Sequence, residues 1–382
     1  MTAPPTTPAA RSATRAERAL EIVRVLSSEP RPAGGVAEAR ARDYCAGRLR
    51  AAGFEVREEP FEYSAFPGRW GTTIGGLTAL GLIAAAGIAG RPGNAAGALG
   101  ILTLGALALG AAAGWIARRG VLTYPAQRRR GVNLVATRRG RADAEPAVWL
   151  MAHLDSKSQP VPILVRAAGI TILGVVWITA IAVAVAQLVV GGAAAGVWIG
   201  LTWLAIVGAL PVIATTVGSR SPGALDNATG VATVLVAAEE ARDSGLAVCL
   251  TSAEELGLAG ARAWVREAAR RPPFVAINCD SVDDGGTTTC MYSGRRPDAL
   301  VTSIRSAASR AGSAIRAHRL LPGVLTDGVA LADARWSVVT LSRGGVRTLA
   351  RIHTPLDRAS ELTGTGMDEV ARVIIELLAT RA

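Results

Sequence analysis

Histidine and cysteine are scarce in this chain: 382 residues hold three histidines and four cysteines. Cys45, Cys249, Cys279 and Cys290 show no CxxC spacing, so neither a zinc ribbon nor a disulfide framework is indicated, and reduced thiols are expected. Aromatic residues make up only 4% of the chain, and none interleave with the basic excess behind the net charge of +11. Without such interleaving or a binding motif, the charge does not point to nucleic acid. Residues 1–68 lack the apolar core of a signal peptide, which agrees with an N-terminus that starts inside the cell. The most consequential absence is local. Four windows, 71–90, 95–116, 167–190 and 193–217, contain no Asp, Glu, Lys or Arg.

Each window reaches the roughly 20 residues a helix needs to cross about 30 Å of hydrocarbon. Together they hold nearly all of the hydrophobic excess behind the chain's 50% hydrophobic content and its mean hydropathy of +0.33. Four transmembrane helices are therefore expected, since core helices seldom run so long without a charge. The connectors 91–94 and 191–192 are so short that the windows must pair as two hairpins, leaving the rest of the chain on one side. Arg69, Arg118, Arg119, Arg128, Arg129, Arg130, Lys157, Arg166 and Arg220 flank that side, against Arg91 alone on the other. The positive-inside rule then places the bulk of the chain in the cytoplasm of a multi-pass cell-membrane protein. The Arg128–Arg130 run reads as a stop-transfer and lipid-headgroup contact, making the bilayer itself a partner. Gly- and Ala-rich helix faces, as in 95–116, allow close packing and are compatible with a homo-oligomer.

Outside the hairpins the pattern alternates helix and strand. Helices are expected over 18–26 and 36–51, and a strand over 54–63, after a disordered Pro-, Ala- and Thr-rich tail at 1–14. Short apolar runs at 131–137 and 147–152 suit sheet strands. Beyond the second hairpin come a helix at 227–242, a strand at 248–252, a helix at 258–269, a strand at 274–279, a helix at 297–311, a strand at 337–342 and a closing amphipathic helix at 367–380. Such alternation implies an α/β layer sandwich: a mostly parallel mixed sheet flanked by helices, here with four added transmembrane helices.

Two of the three histidines join a set that a two-metal hydrolase would need: His153, Asp226, Glu254, Glu255, Asp280 and His353. Each falls at or just past an apolar strand-like run or in a turn, where an α/β sheet presents side chains to a ligand. In His153-Leu154-Asp155, strand geometry would let the Asp155 carboxylate accept a hydrogen bond from the free imidazole nitrogen. A carboxylate at Asp226 can bridge two cations, although a helix N-cap is its simpler role. Of the adjacent Glu254 and Glu255, one can reach a metal while the other acts on water; a solvated loop is the alternative. Asp280 closes the apolar run Val275-Ala276-Ile277-Asn278-Cys279, an expensive place for an unpaired carboxylate. His353 lies in a polar loop, and His318 reads as a surface residue. Together the six supply the imidazole and carboxylate mixture of zinc sites, with a bridge and a free base left over.

Five segments carry a resemblance: Ala152-His153-Leu154-Asp155-Ser156, Gly223-Ala224-Leu225-Asp226-Asn227-Ala228-Thr229-Gly230, Ala253-Glu254-Glu255-Leu256-Gly257-Leu258, Asn278-Cys279-Asp280 and Ile352-His353-Thr354-Pro355-Leu356-Asp357. In this order they resemble the M28 peptidases, a zinc-dependent aminopeptidase group, over the non-membrane parts from about residue 16 to 382. The resemblance implies two Zn2+ per chain: His153 and Asp280 on one, Glu255 and His353 on the other, Asp226 on both, with Glu254 as general base. It implies a zinc-peptidase-like α/β/α sandwich and a peptide or amide substrate. Leu225 stands where many relatives carry a second acidic residue, and Thr326-Asp327-Gly328 where they carry a Ser-Asp-His-like motif. The second departure bears on recognition of a free amino end.

The layout that follows is a tail at 1–14, peptidase parts at 15–69, 118–160 and 218–382, and transmembrane hairpins at 70–117 and 161–217. The few positions between Asp155 and Val161 span at most about 20 Å, so a metal site close to the bilayer surface is expected. The reading is a membrane-integral, zinc-dependent aminopeptidase or related amidohydrolase. The alternative is a non-catalytic membrane scaffold or receptor that keeps the peptidase shell, though a scaffold has little physical need for four clustered carboxylates. A transporter is disfavoured, because helices without internal charge offer a solute no polar path.

Overall fold

The computed structural model describes residues 8–138, 146–192, 194–241, 245–268, 274–321 and 323–380. The chain folds into two compact units, one made of Met1–Tyr63, Arg128–Ser158 and Ser219–Ala382, the other of Ser64–Gln127 and Gln159–Gly218. In chain order the elements are α1 (Pro8–Leu26), α2 (Val36–Ala51), β1 (Phe54–Ser64), α3 (Phe66–Gly90), α4 (Ala95–Trp115), α5 (Val121–Thr123), β2 (Arg128–Arg138), β3 (Val148–His153), α6 (Ile163–Val190) and α7 (Ala195–Ile213). There follow α8 (Thr229–Glu240), β4 (Leu246–Thr251), α9 (Ala259–Ala268), β5 (Val275–Val282), β6 (Thr287–Tyr292), α10 (Asp298–Arg310), β7 (Ile315–Arg319), α11 (Asp327–Asp333), β8 (Ser337–Gly344), α12 (Val346–Arg351) and α13 (Thr365–Ala379).

The first unit is built on an eight-stranded sheet in the order β1-β2-β4-β3-β5-β8-β6-β7. Its four central strands are mutually parallel, whereas β2 runs antiparallel to β4 and β6 antiparallel to β8. Strands β3 and β4 are buried at every position, as their unbroken apolar sequences require of strands covered on both faces. On one face Trp149, Met151, Cys249, Ala276 and Val338 pack with Trp264 of α9 and Leu331 of α11. The other face carries α8, buried from Thr229 to Ala238. Because β3, β4 and β5 run side by side in one direction, the chain leaves all three at the same edge. That edge is where the candidate residues gather.

The structure differs from the sequence expectation in several places. Of the tail expected at 1–14, residues 1–7 lie outside the described residues, while 8–14 belong to α1. The helix expected from residue 227 begins at Thr229, because Asp226 (φ −119°, ψ 88°) and Asn227 (φ −137°, ψ 40°) hold a non-helical turn. The sequence pattern does not predict strands β6 and β7. The first is the Thr-rich Thr287–Tyr292, and the second, Ile315–Arg319, alternates cations and carries His318. Both are held by the pairings of β6 with β7 and β8 rather than by a hydrophobic run.

Arg31, between α1 and α2, is 1% exposed and ties the loops below that sheet edge together. Its guanidinium donates to the carbonyls of Leu26 (2.6 Å), Leu154 (2.8 Å), Pro222 (2.8 Å) and Gly223 (2.9 Å). Arg31→Met would strand these buried acceptors, at a cost of about 3 kcal/mol. The expected result is a melting temperature lower by about 10 °C for the detergent-solubilised protein, followed by circular dichroism.

The second unit consists of α3, α4, α6 and α7, with α4 continuing through a π-helical turn (Ile116–Gly120) into α5. These four helices are long and apolar enough to cross a membrane. Small residues such as Ala98, Ala180, Ala184 and Ala205 pack its interior with Leu102 and Trp198. The buried Gln187 is satisfied there, accepting from Trp198 Nε1 (2.7 Å) and donating to the Gly90 carbonyl (3.1 Å). The outward faces are as apolar as the interior: Leu104, Leu107, Ile178 and Trp203 are each more than 60% exposed. Apolar exposure on that scale is foreign to a surface that faces water.

Candidate metal centre

The residues at this edge are placed by strand ends and the turns that follow them. His153 is the last residue of β3, paired with Thr251 of β4. After Thr251 the backbone turns sharply through Ala253 (φ 57°) into the single 3-10 turn Glu254–Leu256. Asp280 lies within β5, where the register with β8 shifts between Cys279 and Val282 and Ser281 takes φ 56°. The strand thus runs past the end expected at Cys279, and the irregularity re-aims Asp280. His353, with φ 63°, follows α12.

Asp226 sits at the centre. Its Oδ1 lies 3.1 Å from His153 Nε2 and its Oδ2 2.9 Å from His353 Nε2, one oxygen facing each imidazole. His153 Nε2 is also 3.9 Å from Glu254 Oε2 and 4.0 Å from Asp280 Oδ1, and His353 Nε2 is 3.1 Å from Glu255 Oε1. Two groups of potential ligand atoms result: His153 with Glu254 and Asp280, and Asp226 with Glu255 and His353, each within 4.8 Å. All six residues are buried. The N-cap role considered for Asp226 does not apply, since α8 starts three residues later and Ala228 occupies its cap.

Backbone hydrogen bonds lock these side chains in place. Asp357 accepts from the backbone N–H of Leu225 (2.5 Å) and of Asp226 (3.2 Å), fixing the Asp226 turn. Asn227 joins that turn to β5, donating to the Cys279 carbonyl (2.9 Å) and accepting from the N–H groups of Gly230 (3.0 Å) and Ser281 (3.2 Å). The approach is so close that a Cβ on Gly230 would stand 2.1 Å from Asn227 Oδ1.

The hydrogen bond expected between the His153 ring and the Asp155 carboxylate has a different acceptor. His153 Nδ1 lies 3.0 Å from the Asp155 backbone carbonyl and 3.7 Å from its Oδ1. β3 ends at His153, so the strand spacing that would pair i with i+2 does not extend to Asp155. The Asp155 carboxylate instead accepts from the N–H groups of Glu254 (3.0 Å) and Glu255 (3.2 Å), holding the acidic turn against β3.

From the sequence alone Lys157 is a cation flanking an apolar segment. Its ammonium lies 2.6 Å from Glu255 Oε2, leaving Oε1 for the His353 side. Asp327, fully buried, accepts from the Thr251 hydroxyl and has its Oδ1 without a partner among the described residues.

The electrostatics fit a site built for cations. Burial pushes the Asp280 carboxyl up to about 7 and the Glu254 carboxyl well above the usual range, reinforced by their acidic neighbours. Burial alone would also raise Glu255, but His353 and Lys157 pull it down to about 2. Desolvation opposes a charge on His153, yet Glu254, Asp155 and Asp226 outweigh it and hold the imidazole well above its ordinary value. Four buried carboxylates this close repel unless positive charge lies between them. The His353 ring nitrogens and Glu255 Oε1 make no well-angled hydrogen bond within the described residues, although His353 Nε2 lies within 3.1 Å of two carboxylates. Orphaned imidazole and carboxylate atoms that converge are what a divalent metal of the zinc type requires, so the donor set fits the group.

Residues 208–378 match the model of Peptidase family M28. That stretch is similar to the M28 metallohydrolases. The matched stretch includes Asp226, Glu254, Glu255, Asp280 and His353; His153 precedes it in sequence, and the parallel pairing of β3 with β4 brings it in. Among solved structures, the aminopeptidase from Aneurinibacillus sp. strain AM-1 is similar at 15% identity and TM-score 0.55, covering 96% of this chain and 94% of that one. The zinc aminopeptidase BSAP from Bacillus subtilis is similar at 14% and 0.56, covering 96% and 95%. Porphyromonas gingivalis glutaminyl cyclase is similar at 16% and 0.57, covering 96% and 98%. At these identities the likeness speaks for the M28 fold. No curated protein sequence matches the chain significantly.

Proposed function

We propose that the chain is a membrane-integral, zinc-dependent peptidase that hydrolyses peptide or amide bonds, with aminopeptidase action as the specific form. The observation that carries the reading is the Asp226 carboxylate, which faces both imidazoles with one oxygen each, 3.1 Å from His153 and 2.9 Å from His353. In this reading His153 and Asp280 would hold one zinc, Glu255 and His353 would hold the other, and Asp226 would serve both. Zinc held there would polarise the scissile carbonyl and make a water acidic enough to attack near neutrality.

The remaining work falls to the chain's own residues. Glu254 takes a proton from the attacking water as its oxygen bonds to the carbonyl carbon. It then delivers that proton to the amine nitrogen as the C–N bond breaks. One water is consumed, and a carboxyl and an amine are released. Asp155 keeps Glu254 and Glu255 in place through their backbone N–H groups. Lys157 anchors one Glu255 oxygen.

Membrane integration is supported by four helices of spanning length and by the arginine bias of their flanks, with the hydrolytic unit assigned to the cytoplasm. The deciding experiment is digestion of a peptide library by the zinc-loaded, detergent-solubilised full chain, with products read by mass. Release of single N-terminal residues, abolished by a chelator and restored by zinc, is the expected result. Internal cleavage would replace aminopeptidase by endopeptidase action. A cyclised N-terminal glutaminyl residue, or no product at all from a zinc-loaded chain, would overturn the hydrolase reading.

A further inference from the structure

The helical unit, residues 64–127 and 159–218, contains five arginines and no acidic residue. Four of the five share one end of the bundle. Phe66, at the start of α3, stacks on Tyr124 beyond α4 at 5.2 Å, and Trp115 meets the same Tyr124 ring at 6.4 Å. Thr73 of α3 donates to the Ile213 carbonyl at the end of α7 (3.1 Å), and the tight connection from α6 to α7 returns the start of α6 to that end. Arg69, Arg118, Arg119 and Arg166 belong here, whereas Arg91 lies at the opposite end, between α3 and α4.

Arg166 donates to Gln159 (2.5 Å). Arg69, Arg118 and Arg119 are exposed and make no ion pair among the described residues. Beside them Trp70 and Trp115 are 40% and 47% exposed. The Trp115 ring rests on Gly120 in the π-helical turn that carries both Arg118 and Arg119: a Cβ there would stand 2.9 Å from the ring. Half-exposed tryptophans beside unpaired arginines, at the ends of long apolar helices, are the combination that settles at headgroup level.

We propose that this end of the helical unit binds anionic phospholipid headgroups, with Arg69, Arg118 and Arg119 facing the phosphates and Trp70 and Trp115 lying among the glycerol and upper acyl groups. The inference rests on the membrane reading above. Its physical core is charge balance: the unit holds no carboxylate of its own, so the counter-charge for its arginines is external to it. Each arginine near such a surface contributes about a fivefold preference, so three give about a hundredfold.

The test uses the full chain in mild detergent, titrated with phosphatidylglycerol or phosphatidylcholine of the same acyl chains and read by native mass spectrometry. Phosphatidylglycerol should bind about a hundredfold more tightly than phosphatidylcholine. The triple variant R69Q/R118Q/R119Q should lose that preference, and R91Q, at the opposite end, should keep it. Equal binding of the two lipids, or a preference that survives the triple substitution, overturns the inference. Extraction of the chain from native membranes by alkaline carbonate without detergent would instead overturn the membrane reading itself.

Discussion

Replacing Glu254 by glutamine is expected to cut amide hydrolysis about 10²- to 10⁴-fold while zinc stays bound. Glutamine keeps the size of the side chain and the backbone N–H that Asp155 holds at 3.0 Å, so the acidic turn should stand. It loses the ability to receive a proton. Glu254 Oε2 is 3.9 Å from His153 Nε2, and the residue belongs by distance to the same group as His153 and Asp280. A ligand role is therefore its geometric competitor, and zinc content distinguishes the two. Elemental analysis that finds zinc unchanged beside a collapsed turnover number identifies a base. Zinc lost in step with activity would make Glu254 a ligand and leave the proton without its carrier.

The scarcity of histidine made the site legible. With three imidazoles in the chain, two of them beside carboxylates in turns, His153 and His353 could be singled out without a fold, and the structure brings both to Asp226. The central strands were legible for a similar reason: β3 and β4 are buried on both faces, so their apolar runs are unbroken. What stayed hidden depends on contacts between distant segments. Lys157 looks like any cation beside an apolar helix until Glu255, far along the chain, is placed against it at 2.6 Å. Asp357 fixes the Asp226 turn across a similar separation. Strands β6 and β7 bear threonines and arginines in place of a core pattern, so only their pairing reveals them. Strand spacing does not reveal the acceptor at Asp155, because β3 stops at His153.

Asp226→Ala is expected to reduce zinc from about two per chain to well under one, and to take hydrolysis to background. The reason is topological as much as chemical. His153 and Asp280 arrive on β3 and β5, Glu255 and His353 on the turns after β4 and α12, and among the described residues Asp226 is the one carboxylate within 3.1 Å of both imidazoles. Removing it takes a negative donor from each group at once and leaves the two histidines facing an emptied centre. His353→Ala should behave differently, lowering zinc by about one per chain, since His153 and Asp280 keep Asp226. Atomic absorption on both variants, each checked for folding by circular dichroism, separates the cases. If Asp226→Ala retained as much zinc as His353→Ala, Asp226 would serve a single metal, and the bridging role on which the two-metal reading depends would be lost.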